Sequence, residues 1–511
     1  MLPLAMVATQ VVAAQELVGA TQHGERESGT WVFHHEHVLG TSLELKVKAS
    51  SAREAKAAES AALAEFDRQD KILSAWRADS EFSRWEKTRL EAVPVSPELM
   101  EVLAGFDRWR TVTDGALDPS AEAAVRLWRS ALAEGRTPTV REIAATREAM
   151  AQEHWVLDRE RGTAMRVTDV PLALASFAKS TVSEHAAQAA MRAGASGVMV
   201  NVGGDVIVRG TMQQVVELAD PRDSADNAAA IDAVRVSDRA VATSGDYKRG
   251  VALRAALQKP EYSHIIDPRT AIPASGVASA TVIAKDAQTA GALATAFSVM
   301  PMEESVALAK RLPGLEYLIV ASDGSEVRSA GWATCQAPGI RPVAYVPGRA
   351  PVAKAATGEW NAAFELAIGL ELPRIDDARY RRPYVAVWVE DADHFPVRTL
   401  ALWTQNPRWL PELKAWYRDD QIRNLAEGTD VSKTVGAATR PPGHYMLKWD
   451  GKDNEGKPVK AGKYTVVVEA SREHGTYQVE RQEIDFNGKP QQATLPAGKE
   501  MGAVTLDYRK R

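Results

Sequence analysis

The stretch YSHIIDPRTAIPASGVASATVIAKDAQTAGALATAFSV, residues 262–299, decides how the chain is read. It passes from an isolated histidine, His264, through an Asp267-Pro268 turn into a β-rich segment. It then enters a helical segment made largely of Ala, Gly and Thr. Two readings are open. One is a tight turn followed by a closely packed helix. The other is a site where backbone and small side chains approach a large ligand.

Working outward, 511 residues exceed one ordinary domain, and length suggests about two to four. An apolar share of 45% with 25% charged residues is ordinary for a globular chain and excludes fibrous and disordered classes. A formal net charge of −5 gives no basic footprint, so nucleic acid is not an expected partner. Nothing approaches the ~20 consecutive apolar residues of a membrane span, so the chain is not expected to span a membrane. Cys335 is the single cysteine, which excludes an intramolecular disulfide and a cysteine metal cluster. MLPLAMVATQVVAAQE at the start has the apolar run and small-residue exit of a secretory leader, without its basic first part. A signal or leader over 1–24, and with it export, is the expectation.

A strand is expected over 38–47, where HVLGTSLELKV alternates. Helices are expected over 51–76, 97–111, 120–133 and 175–193. GVMVNVGGDVIVRG reads as two strand-like halves around Gly203-Gly204, and QQVVELADP as another strand. DAQTAGALATAFSVM and MEESVALAKRL read as helices, and LEYLIVAS as a strand ending at Asp323-Gly324. The fold class is α+β over residues 25–335. Residues 336–358, rich in Pro, Gly and Ala without apolar period, read as a linker. Beyond it, over 359–511, seven short alternating runs with turns between them predict an all-β, Ig-like sandwich.

Residue types alone leave the chemistry open. HHEH, 34–37, suggests either a metal cluster or a solvated strand, where only His35 and His37 would share a face. Gly203-Gly204-Asp205 suggests either a phosphate cradle or a bulge. His264 either satisfies its turn or acts in a reaction. Lys179, near an expected helix start, either meets solvent or receives a phosphate.

The order of the pieces says more. LGTSLEL (39–45), SAWRADSEFSRWEK (74–87), GALDPSAEAAVRLW (115–128), FAKS (177–180), NVGGDVIVRG (201–210), AVATSGDYKR (240–249), SHIIDPRTAIP (263–273) and AGALATAF (290–297) follow one another. That succession resembles the ApbE family of FAD:protein FMN transferases, over about residues 30–330. The resemblance implies an exported, magnesium-dependent enzyme. It would split FAD at the pyrophosphate, attach FMN through its phosphate to a threonine of an acceptor protein, and release AMP. It gives flavin-binding roles to Leu39, Trp76, Ala116, Leu117, Asp118, Lys179, Gly203, Gly204, Asp246 and Ile265. His264 falls on the histidine at the reacting phosphate and Thr295 on a magnesium-binding threonine. Small residues over 290–296 would let the helix backbone approach the dinucleotide.

Departures cluster on the metal and pyrophosphate side. Where the family carries a metal-binding aspartate this chain has Gly291. The family's Asp-Leu-Gly-Gly-x-Ala-Lys-Gly is here ALASFAKS, with Ala173, Ala175, Ser176 and Ser180 at the changed positions. The glycine after DPRT is Ala271. Asp246, Asp267 and Asp286 are candidates for a substitute carboxylate. Two function classes follow: a transferase with an altered metal site, or a catalytically degenerate flavin-binding or scaffold protein of the same family.

The C-terminal part is similar to a β-sandwich domain found fused to flavin transferases or membrane-associated redox proteins, and to the Ig-like domain of flagellar hook-scaffolding proteins. Its segment holding Trp388, Trp403, Trp409 and Trp416 reads as sandwich core plus an excursion over the sheet edge, with a partner-docking face as the other reading. The partner so implied is an exported acceptor protein or a membrane redox protein. Family acceptors carry an Asp-x-x-Ser/Thr-Gly/Ala-Ala-Thr motif. DVSKTVGAAT (430–439) and DAQTAGALAT (286–295) miss its spacing, so self-modification is not expected.

Overall fold

The computed structural model describes residues 29–223, 225–245, 265–337, 360–375, 380–404, 407–427, 431–473 and 475–511. The expected leader lies outside them, as does the expected linker from residue 338 on.

The alternation expected as one strand over 38–47 folds instead as a hairpin. β1 (Thr30–Val38) pairs antiparallel with β2 (Thr41–Lys48), and Val38 stands opposite Thr41. Leu39 and Gly40 make the two-residue turn, both at positive φ (49° and 75°). That backbone matches the twist of the flanking strands, but it is rare for leucine, and the turn carried no Asn-Gly or Asp-Gly signal. β2 then buries Leu43, Leu45 and Val47 on one face.

After the hairpin come α1 (Ala52–Leu73), capped by Ser51, and α2 (Glu81–Glu86). β3 (Ala92–Pro94), α3 (Pro97–Val112), α4 (Ala121–Ala133), α5 (Val140–Met150), β4 (Trp155–Asp158) and β5 (Thr163–Arg166) follow. α6 (Ala178–Arg192) starts three residues later than expected. Next are β6 (Gly197–Val202), β7 (Asp205–Gly210), β8 (Gln213–Ala219), β9 (Ala230–Ser237) and β10 (Ala240–Gly245). β11 (Ile266–Asp267), β12 (Ile272–Pro273) and β13 (Val277–Ala284) lead to α7 (Ala287–Val299) and α8 (Met302–Lys310). β14 (Glu316–Ala321), β15 (Glu326–Arg328) and α9 (Trp332–Cys335) close the domain.

Eight of these strands form one antiparallel sheet in the order β1-β2-β6-β7-β10-β13-β14-β15. Its central strands bury consecutive residues, as Val198–Val200 of β6 and Ser279–Ala284 of β13 do, because both faces are covered. Val198, Val200 and Val202 of β6 join the core under α1, α6 and α7. Met199, with Val206 and Val208 of β7, joins a second core under the β8–β9 hairpin and Trp332.

α7 corrects one expectation. Ala290, Ala292, Ala294 and Ala296 are buried to within 1% of full burial, in the core shared with β10, β13 and α6. The small side chains let this helix lie close on the sheet; they do not open its backbone to a ligand. Thr295 is half-buried, unlike its neighbours.

The C-terminal domain is all β, two sheets face to face. β16 (Phe364–Leu372), β17 (Tyr384–Glu390), β18 (Pro396–Trp403), β19 (Gly436–Ala437), β20 (Gly443–Trp449), β21 (Gly462–Ser471), β22 (Tyr477–Phe486), β23 (Gln491–Leu495) and β24 (Val504–Lys510) build them. The orders are β20-β16-β24-β23 and β19-β18-β17-β21-β22. Leu366, Ile368, Val385, Val387, Leu447, Val466 and Leu506 fill the space between, as alternating strands require. All seven expected strands are present, and β19 and β23 are additional.

The aromatic excursion covers a face of the sandwich and not its edge. α10 (Lys414–Glu427) and α11 (Ser432–Val435) pack Leu413, Trp416 and Val431 on Ala386, Trp388 and Val467 of the five-stranded sheet. Buried Glu469 fastens α10 by accepting from the amides of Ala415 (2.9 Å) and Trp416 (2.8 Å).

The two domains meet at β20, an edge strand. Asp226, in the loop between β8 and β9, donates its amide to Met446 O (2.7 Å) and accepts the Met446 amide on Oδ2 (3.1 Å). Asn227 pairs with both backbone groups of Lys448, at 2.8 and 3.0 Å. The loop thus satisfies edge amides that would otherwise stay open to water or to another strand. Among the described residues no helix is long and apolar enough to cross a membrane.

Candidate active site

Because β2 pairs with β6, the turns at the ends of the β1–β2 and β6–β7 hairpins lie side by side. Gly203 and Gly204, at φ 58° and 96°, make the second turn; this is a hairpin turn and not a bulge. A Cβ added to Gly203 would stand 3.1 Å from Thr41 Cγ2 and 3.5 Å from Lys179 Nζ. Position 203 thus has little room for a side chain, while Gly204 faces open space.

Lys179 reaches this turn from the first turn of α6, which begins without a capping side chain. Its ammonium lies 3.2 Å from Asp205 Oδ2, on the first residue of β7. The Ser180 hydroxyl donates to the same oxygen at 2.9 Å. Lys179 is therefore a held cation and not a free surface lysine. Gly291 and Thr295, one turn apart on α7, face the start of α6. A Cβ on Gly291 would meet the Ser180 side chain, 3.0 Å from its Cβ and closer still to its hydroxyl. Thr295 Oγ1 donates to the Ser176 carbonyl at 3.2 Å.

The DPRT turn is knitted by its own side chains. Asp267 accepts from the Arg269 amide (2.9 Å), Nε (3.0 Å) and Nη2 (2.9 Å). The Asp267 carboxylate first, and Glu304 after it, raise the Arg269 guanidinium above its ordinary value. Ala271 stands at φ 60°, fully buried, with its carbonyl accepting from Trp128 Nε1 at 2.9 Å. This is the left-handed backbone that favours glycine. Asp267 and Arg269 thus lock the turn, while His264 lies outside the described residues, as does Asp246.

The remaining expected residues are spread around this end of the domain. Gly115 abuts the Arg269 side chain, which would lie 3.5 Å from a Cβ there, so the segment at 113–118 touches the DPRT turn. Ala116 and Leu117 are buried in the main core, so only their backbone can meet a ligand. Asp118 is buried and engaged, with Arg110 Nε at 2.9 Å and the Ser120 amide and hydroxyl at 2.8 and 2.6 Å. It orders its loop. Leu39 holds the first hairpin turn, and Ile265 packs half-buried against the core. Trp76, just past α1, is 93% exposed. His35, from the HHEH run, is paired with Glu59 at 2.9 Å.

Sequence reasoning passed over Asp205 and Ser180 as a pair. Asp205 was within the intact NVGGD block and was its available signal. Of the proposed substitute carboxylates, Asp286 caps α7 through the Thr289 amide (2.8 Å) and Asp267 is taken by Arg269.

Magnesium and FAD fit these residues differently. Magnesium is held mainly by carboxylate and phosphate oxygens. Among the described residues no group of three or more His, Cys, Asp or Glu side chains is placed to hold a metal. Position 291 offers no carboxylate, and Asp205 is already engaged by an ammonium and a hydroxyl. The described donors do not suit magnesium. A flavin dinucleotide suits them better: a glycine turn open at Gly204, a lysine beside it, and the exposed indole of Trp76.

The architecture is that of an α+β domain with two hairpin turns and a helix start, bearing Lys179, at one end of an antiparallel sheet, joined to an all-β domain. The chain belongs to the ApbE family, which it matches over residues 39–319. Residues 365–503 match DUF2271, described as a predicted periplasmic protein. An FAD:protein FMN transferase of Vibrio cholerae is 31% identical over 260 residues, covering 49% of this chain and 75% of the relative. One of Treponema pallidum is 28% identical over 317 residues, covering 58% and 86%. The solved ApbE protein of Thermotoga maritima is 28% identical with a TM-score of 0.52, covering 60% of this chain and 99% of that one.

Proposed function

We propose that the chain is an FAD:protein FMN transferase. FAD binds at the paired hairpin turns, with Lys179 at its pyrophosphate and Trp76 against its flavin. An acceptor threonine attacks the FMN phosphorus, its hydroxyl proton is accepted or steered by His264, and AMP leaves. The observation that carries this reading is the Gly203-Gly204 turn, closed to any side chain at Gly203 by Thr41 and open at Gly204, with a lysine beside it that Asp205 holds in place. A magnesium contribution, expected from the resemblance, is not assigned to any described side chain. The protein acts in the periplasm on an exported acceptor, and a membrane redox protein is the natural partner for association with the membrane.

The test is incubation of the full chain with FAD and an acceptor carrying the family motif, following AMP release and acceptor mass together. Addition of FMN to the acceptor by the unaltered protein, lost in His264→Ala, supports the reading. No modification, with FAD still bound, would instead favour the flavin-binding, catalytically degenerate alternative. The missing carboxylate at Gly291 is what keeps that second reading in view.

A further inference from the structure

We propose that this site binds its flavin dinucleotide without a divalent cation, and that Ser180 and Gly291 are a coupled pair which makes it so. The inference rests on the transferase reading and concerns what neutralises the pyrophosphate.

Gly291 has no room for a side chain while Ser180 keeps its place. A Cβ at 291 would lie 3.0 Å from Ser180 Cβ, with the hydroxyl closer and Phe177 Cα at 3.6 Å on another side. Real Cβ atoms do not sit so near, so a carboxylate at 291 requires Ser180 to turn away or be removed. Conversely, a glycine at 180 would leave a void beside Gly291. The two positions share one volume, and here Ser180 occupies it.

The hydroxyl does more than fill space. Ser180 donates to Asp205 Oδ2, which also receives the Lys179 ammonium. This carboxylate, which among the described residues faces the pair, already carries a cation supplied by the chain. A divalent ion would have to displace the ammonium from Asp205 and would find Thr295 already donating to Ser176 O. The ammonium stands instead beside the Gly203-Gly204 turn, 3.5 Å from where a Gly203 Cβ would be, and next to Gly204, which has no heavy atom within 4 Å of its own Cβ direction. A lysine in that position neutralises phosphate as a point charge.

The experiment is a titration of the full chain with FAD, followed by flavin fluorescence, first with excess EDTA and then with millimolar magnesium chloride. The same affinity within about twofold is expected in both. Lys179→Met should weaken binding about tenfold or more in either buffer. Gly291→Asp alone should weaken it too, whereas Ser180→Gly combined with Gly291→Asp should bind tightly only with magnesium. A loss of about tenfold or more on adding EDTA to the unaltered protein overturns the inference and leaves the transferase reading standing. Magnesium-dependent binding by Gly291→Asp without the change at Ser180 overturns the coupling. Absence of FAD binding in both buffers overturns the transferase reading and this inference with it. Should a variant fail to fold, the comparison of buffers on the unaltered protein still decides.

Discussion

Lys179 and Asp205 form an ion pair, Nζ to Oδ2 3.2 Å, that ties the first turn of α6 to the first residue of β7. Asp205 is nearly buried, with its side chain 11% exposed. Removing it strands the Ser180 hydroxyl and frees the ammonium at once. Asp205→Ala should cost about 1–3 kcal/mol of stability in urea unfolding. FAD affinity should fall as well, because the lysine no longer has a fixed place. An Asp205→Ala protein with unchanged unfolding midpoint and FAD affinity would show that the pair holds nothing.

Ala271 holds a left-handed backbone that favours glycine. At φ 60° an alanine is strained by about 1 kcal/mol, while its buried methyl returns about 0.8 kcal/mol. Ala271→Gly should therefore leave stability within about 1 kcal/mol of the unaltered protein. Ala271→Val should lose about 2 kcal/mol or more, since a β-branched side chain is poorly tolerated at this φ and has no space. Equal midpoints for the two variants would refute this account of the turn.

What could be read beforehand follows from where the physics is local. The period of α1 and the alternation of the seven runs that fold as β16, β17, β18, β20, β21, β22 and β24 are properties of short windows, and the order of the family blocks added the family. The Leu39-Gly40 turn was missed because its first residue is atypical for positive φ. The role of α7 was misjudged because a stripe of alanines looks alike whether it meets a ligand or a sheet; only β10, β13 and α6 around it distinguish the two. Gly291 was noticed as a lost carboxylate, but its dependence on Ser180 joins residues more than a hundred positions apart. No window contains both. The same holds for Asp226 and Met446, which define how the domains meet.

That domain contact is testable by itself. Asp226→Ala with Asn227→Ala removes three side-chain hydrogen bonds to the backbone of β20. Each bond to an edge amide or carbonyl is worth about 0.5–1.5 kcal/mol, so the loss of three should total about 1.5–4.5 kcal/mol. The unaltered protein should melt in one coupled transition and the double variant in two, by calorimetry, because its domains no longer support each other. One transition at the original temperature would place their coupling elsewhere.

Glu469 gives the C-terminal domain a pH response. Burial pushes its carboxyl above the ordinary range, and the Trp416 and Ala415 amides only partly offset this. The folded state therefore takes up a proton at a higher pH than the unfolded chain does. Glu469 accordingly adds stability as pH falls from neutrality toward the usual carboxylate range, and this is lost as pH rises through the elevated value. Measured against Glu469→Gln, the unaltered protein should gain in relative stability on acidification over that interval. A difference that does not vary with pH would mean the carboxylate is already well solvated.

Trp76 offers the cleanest separation of binding from folding. At 93% exposure the indole has almost no contact to lose, so Trp76→Ala should leave the melting temperature of the free protein unchanged. An aromatic face left in water gains only when a flat ring system lies on it. Stacking of that kind contributes about 0.5–1.5 kcal/mol beyond the area it buries, so FAD affinity should drop by about threefold to tenfold. Trp76→Phe, which keeps a smaller face, should recover part of it. The unaltered protein should also show its tryptophan emission quenched by FAD to a greater extent than Trp76→Ala does. If affinity is the same in all three proteins, the flavin lies elsewhere and Trp76 is only a surface residue.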